Sequence, residues 1–73
     1  MIILDERGFV FLDDKSDPYQ VRMWGGEQWL FYWNHGHKRF VSLRPLRLFE
    51  SRYLYERRLP DEQADMYLNA ERR

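Results

Sequence analysis

Cysteine is absent from this 73-residue chain. That excludes a disulfide framework and any thiolate metal site, and it fits a reducing cytoplasm. No apolar run approaches the roughly 18 residues that a membrane-spanning helix needs. Met1-Ile2-Ile3-Leu4 is followed at once by Asp5, Glu6 and Arg7, without the basic start and long apolar stretch of a signal peptide. A cytoplasmic protein with no membrane partner is the expectation. Net charge is also missing, with 12 basic and 12 acidic side chains. At this length the chain is a single small domain, 1–73, and it buries only about 60% of the surface its unfolded form exposes.

Catalytic and ligand signatures are lacking as well. There is no glycine-rich phosphate loop and no dinucleotide fingerprint. Ser16, Ser42 and Ser51 have no histidine and carboxylate at a telling spacing. His35 and His37 flank Gly36 at a turn, but a structural zinc site wants four ligands. Asp13, Asp14 and Asp17 lack the glycine and the closing glutamate of a calcium loop. The expectation is a protein that is not an enzyme, with no cofactor, no metal and no small-molecule substrate.

Aromatic mass stands in for the missing staples, with 3 Trp, 5 Tyr and 5 Phe. Each such ring buries roughly 150–250 Å² and supports a small core. Charge is unevenly placed along the chain. Residues 1–17 carry a net of −3 and residues 38–58 a net of +5, and ten of the 12 cations are arginine. Arginine suits bidentate and stacked contacts at interfaces, and a split acidic and basic surface suits electrostatically steered partners.

Turn chemistry divides the first half into short strands. Ile2–Leu4 and Phe9–Leu12 flank a turn at Asp5-Glu6-Arg7-Gly8. Tyr19–Trp24 alternates in period two, Gly25-Gly26 makes a two-residue hairpin turn, and Gln28–Trp33 follows. Asn34–His37 turns again before Lys38–Leu43. Beyond Pro45, Leu46, Phe49 and Tyr53 fall at helical spacing, although Leu46-Arg47-Leu48 also fits an extended continuation. Pro60, Asp61 and Glu62 open a second helix, with 61–73 as a C-terminal helix or a loosely ordered tail. The expected fold is α+β: a small antiparallel meander of three to five strands, then one or two C-terminal helices.

A two-residue turn at Gly25-Gly26 pairs Trp24 with Glu27, Arg22 with Trp29 and Val21 with Leu30. A four-residue turn at Asn34–His37 pairs Trp33 with Lys38 and Phe31 with Phe40. Opposed residues share a face. Tyr19, Val21, Met23, Leu30, Tyr32 and Val41 then form an apolar face, the expected core. Gln20, Arg22, Trp24, Trp29, Phe31, Trp33, Lys38, Phe40 and Ser42 form the other. Its mix of tryptophan and arginine is that of interface hot spots, and Arg22 could stack on Trp29. Arg22, Trp24, Trp29, Phe31, Trp33, Arg44, Arg47 and Arg52 are therefore the candidate partner-binding residues. The competing arrangement is that the chain's own C-terminal helix, or the 2–12 hairpin, covers this aromatic face.

A compact, cysteine-free, aromatic chain with its charge segregated by segment resembles small phage-encoded regulators of host bacterial RNA polymerase. The resemblance lies in the style of the chain and carries no residue over. It implies a polymerase partner, stoichiometric inhibition of initiation and antitermination. Two other readings remain open: a nucleic-acid binder using clustered arginine and aromatics, and an antidefence inhibitor of a nuclease that presents Asp5, Glu6, Asp13, Asp14 and Asp17.

Overall fold

The computed structural model describes residues 2–49 and 54–72. Four strands, β1 (Phe9–Leu12), β2 (Pro18–Trp24), β3 (Glu27–Asn34) and β4 (Arg39–Pro45), form one antiparallel meander in the order β1-β2-β3-β4. A single 3₁₀ turn at Leu46–Leu48 follows, and the helix α1 (Asp61–Glu71) closes the described chain. This is the α+β meander that the turn chemistry predicts.

Local chemistry sets each turn. Asp13 Oδ1 accepts from the backbone N–H of Lys15 (2.9 Å) and of Asp17 (2.8 Å), which folds the β1–β2 loop on itself. Gly25 and Gly26 have φ of 61° and 84°, as a primed two-residue hairpin requires. The β2–β3 register matches the expected one at every rung, from Trp24–Glu27 to Tyr19–Tyr32.

The β3–β4 register differs from expectation by two residues. Asn34 pairs with Arg39 and Trp33 with Phe40, so the loop is His35–Lys38. Asn34 Oδ1 accepts from the His37 N–H at 3.0 Å, and Lys38 takes φ of 53°. A slip of two leaves the faces unchanged, because side chains alternate with period two. Further along, Phe31 pairs with Ser42 but Leu30 with Arg44, so a bulge leaves Leu43 as an extra residue.

Two other expected elements are replaced. Ile2–Leu4 is not a strand, and only a bridge joins Asp5 to Gly8. The outer edge of β1 is taken instead by residues 57–59: Leu12 N–H donates to Arg57 O (3.2 Å) and Leu59 N–H to Val10 O (2.9 Å). Ile2 exchanges its backbone hydrogen bonds with the Gln28 amide at 3.0 and 2.5 Å. The helix expected beyond Pro45 is not one helix either. Phe49 is extended and Leu54–Arg57 is a turn, while 50–53 lies outside the described residues. The reason is coverage: Phe49 reaches the rings of Phe11 and Tyr19, at 6.1 and 6.5 Å between centroids, rather than stacking along a helix.

The chain covers both faces of its own sheet. On one face α1 packs Ala64, Tyr67 and Leu68 over Val10, Phe31, Trp33 and Phe40. Tyr67 meets Trp33 edge-on at 5.1 Å. On the other, Ile2, Leu46, Phe49 and Leu54 pack over Phe9, Phe11, Val21 and Leu30. The aromatic face is thus core where α1 lies on it.

Polar contacts fasten α1. Arg22 Nη2 donates to both carboxylate oxygens of Glu71, at 2.7 and 2.8 Å, and its guanidinium lies over Phe31 (4.9 Å) and Phe40 (5.4 Å). Glu71 also accepts from the Phe40 N–H at 2.7 Å. Arg22 bonds in turn to the buried Gln20, which donates to Arg7 O at 2.5 Å, and Arg7 reaches Asp65 at 2.7 Å. No buried side-chain polar atom among the described residues lacks a partner.

Truncating the ring at the centre of the α1 interface tests this packing. Trp33→Ala should cost about 3–5 kcal/mol, a large share of the roughly 4–11 kcal/mol expected for a domain this size. Urea denaturation should show loss of most of the folded population at low denaturant. Glu71→Ala should cost about 1.5–3 kcal/mol by orphaning a guanidinium and a backbone N–H. In an Arg22→Ala background the same change should cost at least about 0.5 kcal/mol less.

Candidate interaction surface

The eight candidate residues separate into distinct environments. Phe31 and Trp33 are 9% and 8% exposed, so they belong to the core under α1 and not to a surface. Arg22 is committed to Glu71 and to the rings of Phe31 and Phe40. The expected stack of Arg22 on Trp29 does not form, because Glu71 draws the guanidinium beneath α1. Trp29 is faced by Trp24 instead. Arg52 lies outside the described residues.

What remains of the aromatic surface is the Gly25-Gly26 end of the sheet, beyond the reach of α1. Trp24 is 51% exposed and meets the half-buried Trp29 edge-on at 4.5 Å. Its ring lies 6.2 Å from Phe31, which ties the corner to the core. Pro45 pairs with Trp29 on the same face. Arg47 is exposed and bonds to Glu27 at 2.6 Å, and Glu27 is the rung partner of Trp24. One exposed indole, one supported indole and an ion pair thus share a corner.

The charges that the sequence segregates come together in space. Arg58 pairs with Asp5 at 2.6 Å and Arg57 with Asp14 at 2.7 Å. The acidic N-terminal segment is therefore partly neutralised by the distal end of the basic one. Lys38, Arg39 and Arg44 make no ion pair among the described residues. Among those residues no cluster of three or more histidines and carboxylates could hold a metal, and no helix is long and apolar enough to cross a membrane.

The face expected to be core is only half covered. Val21 and Leu30 are fully buried, but Tyr32 is 38% exposed and Met23 58%. Among the described residues, the segments packed over this face cluster with Phe9, Phe11, Val21 and Leu30, on β1, β2 and the first half of β3. Arg39 pairs with Asn34 and Arg44 with Leu30, so both arginines share the Tyr32–Val41 face. Tyr32, Val41 and Arg39 are absent from the sequence-derived candidates. Parity offered one signal, Arg39 two residues before Val41, since a cation there is incompatible with a dry core; Arg44 reaches the same face only through the bulge at Leu43, which the sequence does not announce.

The phenol of Tyr19 is raised from its ordinary pKa, first by burial and then by the neighbouring Asp13 and Asp17, with Arg44 opposing. The folded protein therefore keeps a proton that the unfolded chain loses near pH 10. More protons bound in the folded state mean that stability falls as pH rises. Urea midpoints should be insensitive to this group below about pH 9 and decline as pH passes about 10. Tyr19→Phe should remove that part of the decline, together with a late-titrating component of the phenolate absorbance.

No family model matches the chain, and no curated protein or solved structure matches it significantly.

Proposed function

We propose that this is a small non-enzymatic binding protein that docks on a partner protein through the Trp24–Trp29 corner. The observation that carries the reading is a half-exposed tryptophan held edge-on against a second one. A ring fixed in this way loses little freedom on binding, and tryptophan with arginine at the centre of a contact supplies most of its energy. Arg47 and Glu27 flank the corner and set orientation. Arg44 lies on the opposite face and is not part of this contact.

The partner that the resemblance to phage regulators implies is host bacterial RNA polymerase. The proposed outcome is inhibition of initiation, with antitermination at terminators, by stoichiometric contact in the cytoplasm. The antidefence reading has less support, since Asp5 and Asp14 are neutralised by Arg58 and Arg57.

Purified bacterial RNA polymerase immobilised on a biosensor tests this. The wild-type chain should bind and should lower run-off transcription in proportion to its occupancy. Trp24→Ala should weaken binding by about 30-fold, the loss typical of a hot-spot ring, while shifting the melting temperature by no more than a few degrees. Absence of binding to core and holoenzyme alike would remove polymerase as the partner. Unchanged affinity of the Trp24 variant would remove the corner.

A further inference from the structure

We propose that the open half of the opposite face, centred on Tyr32, binds single-stranded nucleic acid, with a base on the Tyr32 ring and flanking phosphates on Arg39 and Arg44. The geometry is a symmetric one. Tyr32 and Val41 form one rung. The Asn34–Arg39 rung lies two steps to one side, and the Leu30–Arg44 rung two steps to the other, because the bulge absorbs Leu43. Each arginine is therefore about 7 Å along the strand from the tyrosine. All three side chains are exposed, and Lys38 adjoins Arg39 at the turn.

Charge fixes the sign of the ligand. Arg39, Arg44 and Lys38 have no carboxylate paired to them among the described residues. The acids on this side, Asp13 and Asp17, sit by Tyr19 on β2. A polyanion is thus guided along β4 and kept from crossing the sheet. Area fixes the class. A protein interface needs about 800 Å² from each partner with an apolar centre, and here the arginines flank one ring and one half-buried valine, with the exposed Met23 set apart at the Gln28 rung near the Gly25-Gly26 turn. A base needs only a ring face, and a phosphate only a guanidinium. Duplex bases are stacked on each other and offer no face to Tyr32, so the strand must be single. The Trp24–Trp29 corner lies on the other face and takes no part.

Fluorescence anisotropy of a labelled oligothymidine of about ten nucleotides tests the site. Between roughly 50 and 200 mM salt, the log–log slope of affinity should be about −2, as phosphate contacts from Arg39, Arg44 and the adjoining Lys38 give on a single strand. Combined Arg39→Gln and Arg44→Gln should reduce the slope to shallower than about −1. Tyr32→Ala should weaken binding roughly 5- to 150-fold, Tyr32→Trp should retain it, and Trp24→Ala should leave it unchanged. Circular dichroism confirms that each variant is folded. No binding at 50 mM salt, or equal affinity for Tyr32→Ala, would overturn the proposal. So would displacement by duplex as readily as by single strand. Polyglutamate that outcompetes the oligonucleotide, with indifference to Tyr32→Ala, would assign the patch to acidic protein instead and overturn it too.

Discussion

A four-stranded sheet has two faces, and the described residues include one 11-residue α-helix with which to cover them. Nearly every other feature follows from that shortage. The helix is placed where the large rings are, over Trp33 and Phe40. The second face is left to irregular segments, Ile2 and Leu4 from one side and Leu46, Phe49 and Leu54 from the other. Segments without internal hydrogen-bond ladders need other anchors. Ile2 finds one in the Gln28 amide, and residues 57–59 find another on the edge of β1. Where the cover ends, Trp24 shows on one face and Tyr32 on the other.

The helix itself is a weak independent element, with few apolar side chains and only Ala64 buried. Its placement depends on the arginine beneath it. Arg22 is sandwiched between rings and a carboxylate, so charge, stacking and a backbone hydrogen bond converge on one site. Partial burial strengthens each of these terms relative to water. The same arrangement explains why an arginine with the character of an interface hot spot is unavailable to a partner: a charge on an aromatic surface is equally suited to bind the protein's own helix.

Much of the sheet is legible in the sequence, because turns carry distinctive chemistry. Gly25-Gly26 fixes the β2–β3 register without help from the rest of the chain. Asn34 is less informative, since its side chain works equally well inside the loop or at its first position, and the register moves by two. What local reading does not reveal is which segment lies on which face. Leu46, Phe49 and Tyr53 fall at helical spacing, yet Phe49 is extended because the rings of Phe11 and Tyr19 require it. Coverage is a long-range property, and it decides whether a ring is core or surface. Phe31 and Trp33 are core and Trp24 is not, though all three share a face. Tyr32 is open although its neighbours Val21 and Leu30 are sealed.

The free edge of β4 bears on how the molecule behaves in a crowded solution. An unpaired strand offers its outward amides to any other strand it meets. Here the Phe40 amide is already held by Glu71, Leu43 bulges out of line two residues past Val41, and Pro45 ends the strand without a donor. Fewer than three consecutive residues are left in a geometry that a second strand could match. Among the described residues, the outer edge of β4 therefore gives a second copy of the chain little to pair with.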